Sequence, residues 1–282
     1  MRQLATIAAF GFADLEPAVI LDLYRRLGCT TCQFYRNEAL APTDDEVLEA
    51  CGVAMLRVDS MHGLFGAAYD PSSPNEARRR DAVRTYRGEG ALAARLGGAM
   101  VVVHPAPAAP EGVLITNTHR RQRYDPLFKS LQELAAIGRS LGVVYLIENL
   151  TGHYWFGHDP LELADMIRAV DSRHLRMCFD VGHAHLTGSV ADRLVACRDV
   201  IEYLHIHDND GQSDGHLMPC DGVIDWEEVG LALRASELEV PAMLEVFYGA
   251  EQLAGVVDSD LPDRLVHWFS ERAVGAHVHP AG

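Results

Sequence analysis

Short apolar runs rich in β-branched residues alternate eight times with longer stretches whose apolar positions recur at helical spacing. The runs predict strands over Thr6–Phe12, Thr30–Tyr35, Ala54–Ser60, Ala99–His104, Val143–Glu148, Leu175–Asp180, Ile201–His207 and Ala242–Phe247. Helices are predicted over Leu15–Leu27, Asp44–Cys51, Asn75–Leu96, Asp125–Leu141, Pro160–Val170, Val190–Arg198, Trp226–Ala235 and Ala250–Ser270. The runs MVVVH (ending at His104) and VVYLIE (ending at Glu148) are apolar without alternation, as in a parallel sheet covered on both faces. Thr43 to Glu46 and Ser73 to Glu76 have the form of capping boxes. Gly97, Gly98 and Gly142 stop helices just before a strand. Eight such units with no break in composition predict a single (β/α)8 barrel over residues 1–275, with 276–282 as a tail. An open doubly wound sheet is the alternative, but no GxGxxG follows the first strand.

Length and charge narrow the picture further. The chain has 282 residues, slightly more than the roughly 250 of a typical barrel of this kind. Its 24 Lys and Arg against 40 Asp and Glu leave a formal charge of −16, which repels nucleic acid and anionic membrane at long range. The compact basic runs are Arg78–Arg80 and Arg120–Arg123, the second of which follows the fourth strand. Met1–Phe12 does not have the form of a signal peptide, and no stretch has the length and apolarity of a membrane span, so a cytoplasmic protein is expected. Cys29 and Cys32 form a CxxC with no second pair at zinc-ribbon spacing, which reads as buried thiols in and near a strand.

Chemistry gathers where the strands end. The third strand is followed by His62, the fourth ends in His104, the fifth in Glu148-Asn149, and the sixth in Asp180 with His183 beyond it. The seventh contains His205 and runs into Asp208, Asp214 and His216; the eighth carries Glu245. Any one of these has a plainer explanation as the cap of the next helix. Together they converge on the C-terminal mouth, where such barrels carry their chemistry. Unpaired carboxylates there would repel one another by several kcal/mol, roughly 4 at ~4 Å and an effective dielectric of ~20. A divalent cation relieves that repulsion, and mixed imidazole and carboxylate donors suit Zn2+ or Mn2+, with Co2+ or Fe2+ as further choices.

The ordered motifs VVVHP, IEN, CFDVGHAH, LHIHDND, DGHLMPCDGVIDW and LEVF resemble the xylose isomerase-like barrel superfamily, which includes sugar isomerases, sugar epimerases and the endonuclease IV group. The resemblance runs from the third strand onward and is weak before it. It implies a metal held by Glu148, Asp180, His205 and Glu245, with Glu148 and Glu245 as the catalytic pair. His205 fits better than His207, because the superfamily's histidine is followed three residues later by an Asp, here Asp208. His62, His104, His183, Asp214 and His216 match the additional ligands of the endonuclease IV group, where three zinc ions lie together. In epimerase relatives His183 would instead contact substrate, a role for which Asn149 and Trp155 are also candidates. Tyr154, Trp155 and Phe156 either stack on a sugar ring or pack the barrel rim, and an aromatic rim is compatible with a homo-oligomer contact.

The chain departs from the superfamily's pattern at two points. No Arg lies between His205 and Asp225, where epimerase relatives often hold a substrate hydroxyl, and Pro219-Cys220-Asp221-Gly222 replaces the usual GxG turn. The resemblance implies a metal-dependent isomerase or epimerase of a sugar or sugar phosphate, working by enediolate proton transfer. Nine ligand-type side chains exceed what one metal needs, so the alternative is a multi-zinc phosphodiesterase or related hydrolase.

Overall fold

In the computed structural model, which describes residues 3–9, 17–36 and 42–270, eight parallel strands close on themselves in chain order. They are β1 (Leu4–Ala9), β2 (Thr31–Tyr35), β3 (Arg57–His62), β4 (Met100–Val103), β5 (Val144–Glu148), β6 (Leu175–Asp180), β7 (Ile201–Ile206) and β8 (Ala242–Leu244). Helices α1 (Pro17–Arg26), α2 (Asp44–Val53), α3 (Glu76–Arg95), α4 (Asn117–Leu141) and α5 (Pro160–Val170) follow the first five strands. After β6 come α6 (Val181–Thr187) and α7 (Val190–Cys197), after β7 comes α8 (Trp226–Ala235), and after β8 come α9 (Ala250–Val257) and α10 (Leu261–Ser270). This is the expected single (β/α)8 barrel. The tail expected from residue 276 lies outside the described residues, as do positions 10–12 of the first strand run and 15–16 of the first helix run. Among the described residues no helix is long and apolar enough to cross a membrane.

Strand parity divides the side chains between two cores. Ala5, Ile7, Val102, Leu146, Cys178, Tyr203 and Met243 fill the barrel interior. Their neighbours of opposite parity, such as Val101, Val103, Ile147, Phe179, Leu204 and Leu244, pack outward against the helices. Successive strand residues face opposite sides, so residues two apart share a face. Two positions beyond Val102, Leu146, Cys178, Tyr203 and Met243 stand His104, Glu148, Asp180, His205 and Glu245. The apolar interior is thus capped at its C-terminal end by a layer of imidazoles and carboxylates. Register carries that layer round the barrel, pairing Glu148 with Cys178, Asp180 with His205, and His205 with Met243.

Several strand ends shift by one to three residues, as at β8, which stops at Leu244 rather than Phe247, and four differences from the sequence expectation have a local reason. The third strand starts at Arg57 because α2 runs to Val53, Ala54 caps it, and Met55 takes a left-handed φ of 57°. Helix α4 starts at Asn117, eight residues early, with Thr116 accepting a hydrogen bond from His119 N, and it carries Pro126 inside its span. The expected last helix breaks into α9 and α10, where Ser259 Oγ accepts from Leu261 N ahead of Pro262. Helix α6 was not expected; Asp180, the last residue of β6, caps it by accepting from His183 N. The Thr43–Glu46 capping box forms, whereas α3 is capped by Asn75 rather than Ser73. Cys29 and Cys32 are buried thiols, with Cys32 Sγ 3.4 Å from Cys51 Sγ.

Two helical glycines should respond to the same substitution in opposite directions. Gly88 in α3 is exposed, and an added Cβ would meet nothing within 4 Å, so Gly88→Ala is expected to stabilise by about 0.5–1 kcal/mol in urea unfolding. In α4 a Cβ on Gly138 would lie 2.8 Å from the Val143 carbonyl oxygen, so Gly138→Ala is expected to destabilise by roughly 1–3 kcal/mol. Equal midpoints for the two variants would contradict this packing.

Candidate metal centre

Three groups of ligand atoms meet at the mouth, and every atom within a group lies within 4.8 Å of the others. Glu148, Asp180, His205 and Glu245 form the central one, His62, His104 and Glu148 a second, and His183, His207, Asp214 and His216 a third. All are buried except Asp214 and His216, which are half-buried. Two donors on one ion at ~2.1 Å in tetrahedral geometry stand about 3.4 Å apart. Glu148 Oε1 and Glu245 Oε2 lie 2.9 and 3.0 Å from His205 Nδ1, and Asp180 Oδ2 lies 3.8 Å from it. Glu148 Oε2 faces the second group, 3.0 Å from His104 Nε2 and 3.6 Å from His62 Nε2.

Several polar atoms in these groups have a histidine or carboxylate nearby but no hydrogen bond of good geometry. Glu148 Oε2, Asp180 Oδ2, Glu245 Oε2, Asp214 Oδ1 and both nitrogens of His207 are buried without a hydrogen bond. Leaving a buried polar group unsatisfied costs about 1–3 kcal/mol, and more where it is charged. Ligand-type atoms gathered within 4.8 Å of one another, several of them without a hydrogen bond, fit a divalent cation. These four carboxylates form ion pairs with histidine alone among the described residues.

Backbone carbonyls orient the outer histidines. Nδ1 of His62 lies 2.9 Å from Gly63 O, Nδ1 of His183 lies 2.8 Å from Asn149 O, and Nδ1 of His216 lies 2.8 Å from Glu245 O. A carbonyl only accepts, so in each ring Nδ1 carries the hydrogen and Nε2 turns inward, as a metal-ligating histidine requires. The loop carrying Asp214 and His216 is held by Asp208, which is fully buried. Its carboxylate accepts from Asn209 N, Ile224 N, Cys220 N and Trp226 Nε1. Gly222 permits that packing, since a Cβ there would come within 2.3 Å of Asp208 Oδ1. Cys220, standing where the superfamily pattern has glycine, adopts a left-handed φ of 81°.

Charge in the mouth is strongly coupled. Burial works against ionised Glu148, but the His205 and His104 rings outweigh it and hold its carboxyl well below the usual range. Glu245 is depressed in the same way, by His205. Burial also opposes charge on His183 and His216, yet Asp180 and Asp214 push His183 up to about 10, and Asp214 with Glu245 pushes His216 up to about 9. His104 is lowered by burial despite Glu148 beside it.

All nine residues proposed as ligands from the sequence meet here. His207, passed over in favour of His205, joins the third group; its signal was the HIH spacing, which turns both rings to one face. The proposed substrate contacts fare differently. Asn149 uses its side-chain amide on the Asp180 backbone, donating to Asp180 O and accepting from Asp180 N, both at 2.9 Å. His183 turns Nε2 to Asp214 at 3.1 Å. Trp155 packs against His119 and beneath the Arg123 guanidinium, and Phe156 is wholly buried. Tyr154 instead approaches His104, with ring centres 5.6 Å apart. The sequence reading did not include Tyr35 and Phe65, which pack on His62, or Phe247, which packs on His216.

A closed parallel barrel whose mouth gathers imidazoles and carboxylates at ligand spacing defines a class of barrel with side-chain groups that could hold a metal ion. Within that class, the chain belongs to the family described as the xylose isomerase-like TIM barrel, which it matches over residues 21–261. It is similar to the uncharacterized protein MJ1311 of Methanocaldococcus jannaschii, with 30% identity over 164 residues, 57% of this chain and 55% of that protein. It is also similar to the uncharacterized protein y4fM of Sinorhizobium fredii, with 28% identity over 182 residues, 61% of this chain and 55% of that protein. The chain thus spans about half the length of these curated relatives. Among solved structures it resembles a D-tagatose 3-epimerase-like protein, with a TM-score of 0.77 and 21% identity over 93% of this chain and 98% of the other. It also resembles the 3-keto-D-glucoside 4-epimerase YcjR from E. coli, with a TM-score of 0.74 and 18% identity over 95% of this chain and 99% of the other. At these identities the likeness establishes the shared fold.

The raised histidines would make binding of a metal ion at the third group proton-coupled. In the metal-free protein at neutral pH, His183 and His216 hold protons that an incoming ion must displace. Zinc affinity is therefore expected to fall as pH drops and to rise toward roughly pH 9, with protons released on binding. Titration calorimetry in buffers of different ionisation enthalpy reads that release directly. An affinity flat across roughly pH 6–9 would remove these two rings from the ligand set.

Proposed function

We propose that the protein is a divalent-metal-dependent sugar isomerase or epimerase in which Glu148 and Glu245 transfer the proton. The observation that carries this reading is the meeting of the two glutamates, from β5 and from just beyond β8, at 2.9 and 3.0 Å from the same His205 Nδ1. A hydroxy-ketone seated between them has one carboxylate to remove a proton from the carbon beside its carbonyl and another to return one. Glu148, Asp180, His205 and Glu245 would hold a Zn2+ or Mn2+ ion, which would supply positive charge beside the reacting oxygens. His104 and His62 face Glu148 Oε2 and steady that side chain, while the Asn149 amide fixes the Asp180 backbone. Phe65 and Phe247, both more than 40% exposed, border the centre beside His104 and His216 and offer flat apolar faces to a sugar ring.

A carbohydrate substrate agrees with the names of the structurally similar proteins, which are sugar epimerases. A nucleic-acid substrate has less support. In the basic run of α4, Arg120 is paired with Glu162 and Arg123 with Asp70, under an overall charge of −16.

Glu148 itself favours a second reading. One of its oxygens faces the central group and the other faces His104 and His62. Were cations held on both sides, both its oxygens would serve as ligands and neither would be free for a proton. A centre of two or three metals then suits hydrolysis of a phosphodiester.

The test is turnover of a ketose panel in D2O. Deuterium is expected at the carbon beside the carbonyl, and Glu245→Gln is expected to reduce turnover by at least ~10²-fold with the far-UV circular dichroism unchanged. Metal-dependent cleavage of bis(4-nitrophenyl) phosphate, with no exchange into any ketose, would transfer the conclusion to the hydrolase.

A further inference from the structure

The third ligand group differs in kind from the central one. Glu148, Asp180, His205 and Glu245 offer three carboxylates and one imidazole, whereas His183, His207, Asp214 and His216 offer three imidazoles and one carboxylate. The superfamily resemblance accounts for His183, Asp214 and His216 but not for His207. That ring is wholly buried, lies parallel to His216 with centres 4.1 Å apart, and has no hydrogen bond at either nitrogen. Its Nε2 lies 3.2 Å from Asp180 Oδ1 and 3.8 Å from Asp214 Oδ1. His183 Nε2 is 3.1 Å from Asp214 Oδ2, and His216 Nε2 is 3.5 Å from Asp214 Oδ1. The chain keeps room for His207 at Gly182, where an added Cβ would fall 2.1 Å from His207 Cε1.

A plainer account makes His207 the ion-pair partner of Asp180. It leaves Nδ1 of a wholly buried ring unsatisfied, and Asp180 Oδ1 already accepts from His183 N at 2.7 Å. We propose that His207 is the fourth ligand of a closed zinc site, completed by His183, Asp214 and His216, whose role is to lock the loop after β7 rather than to bind substrate. Four protein donors fill a tetrahedral shell and leave no position for water or a sugar oxygen, which separates structural zinc from catalytic zinc. Imidazole-rich donors hold Zn2+ in preference to Mn2+, while the carboxylate-rich centre beside them also suits the harder ion. The two ligand groups therefore divide the work: zinc on the loop side, and the reacting metal under the two glutamates. The loop is then pinned at both ends, by the Asp208 carboxylate at its root and by zinc at Asp214 and His216.

The full-length protein is stripped with chelator, reloaded with Zn2+ or Co2+ alone, and desalted. Wild type is expected to retain zinc through desalting, to give the intense visible bands of four-coordinate Co2+, and to resist chymotrypsin at Leu217 and Met218. His207→Asn is expected to bind that zinc at least tenfold more weakly, to lose the four-coordinate bands and to be cut in the loop. His207→Cys, which supplies another zinc ligand, is expected to restore retention where His207→Ser does not, and this comparison decides the matter even if His207→Asn folds poorly. Zinc affinity within twofold of wild type in His207→Asn and His207→Ser overturns the proposal, as does a wild type that retains no zinc. These readouts need no sugar, so they stand or fall separately from the isomerase reading.

Discussion

Four carboxylates, Glu148, Asp180, Asp214 and Glu245, are drawn into one end of the barrel where no Lys or Arg pairs with them among the described residues. In so poorly solvated a place their charge must be balanced, and the neighbours that can balance it are histidines and whatever cation they admit. Much else in the mouth follows from this constraint. Histidines stand beside every carboxylate, Glu148 and Glu245 are held below the usual carboxylate range while His183 is raised, and several buried oxygens have no hydrogen bond. A barrel built only for stability would fill these positions with the apolar residues found one layer below, at Val102, Leu146 and Met243.

The second ring of contacts makes the arrangement rigid before any ligand arrives. Carbonyls of Gly63, Asn149 and Glu245 each fix the tautomer of one histidine, and two of these carbonyls belong to site residues themselves. Asp180 combines two roles, since Oδ1 caps α6 while Oδ2 turns toward His205. Capping and ligation are thus not rival explanations for a carboxylate at a strand end. Asp208, though adjacent to the site in sequence, spends its whole hydrogen-bonding capacity on the loop.

Glu148 is where the two readings of the chemistry diverge. Its oxygens face different groups, and whether the second one meets imidazole hydrogens or a second cation decides whether the residue carries a proton or bridges metals. The exposed aromatic faces of Phe65 and Phe247 suit a neutral ring-shaped substrate, and Arg120 and Arg123 are already paired with Glu162 and Asp70.

Much of this was legible in the sequence because a strand's side chains alternate with period two. Once Val102, Leu146, Cys178, Tyr203 and Met243 are read as barrel interior, the residues two further on must line the mouth. The same parity places His207 on the face of His205, so the two rings share the mouth rather than compete for it. Boundaries were less legible where capping and turn geometry override periodicity, as at the early start of α4 and the break before Pro262. Tertiary structure alone settled which polar groups touch which. That Asn149 serves the Asp180 backbone, that Trp155 turns to His119 and Arg123 while Tyr154 turns inward, and that Tyr35 joins the mouth all depend on side-chain directions and packing between distant segments. A linear pattern records which face of a strand a residue occupies, but not how a loop folds back over that face.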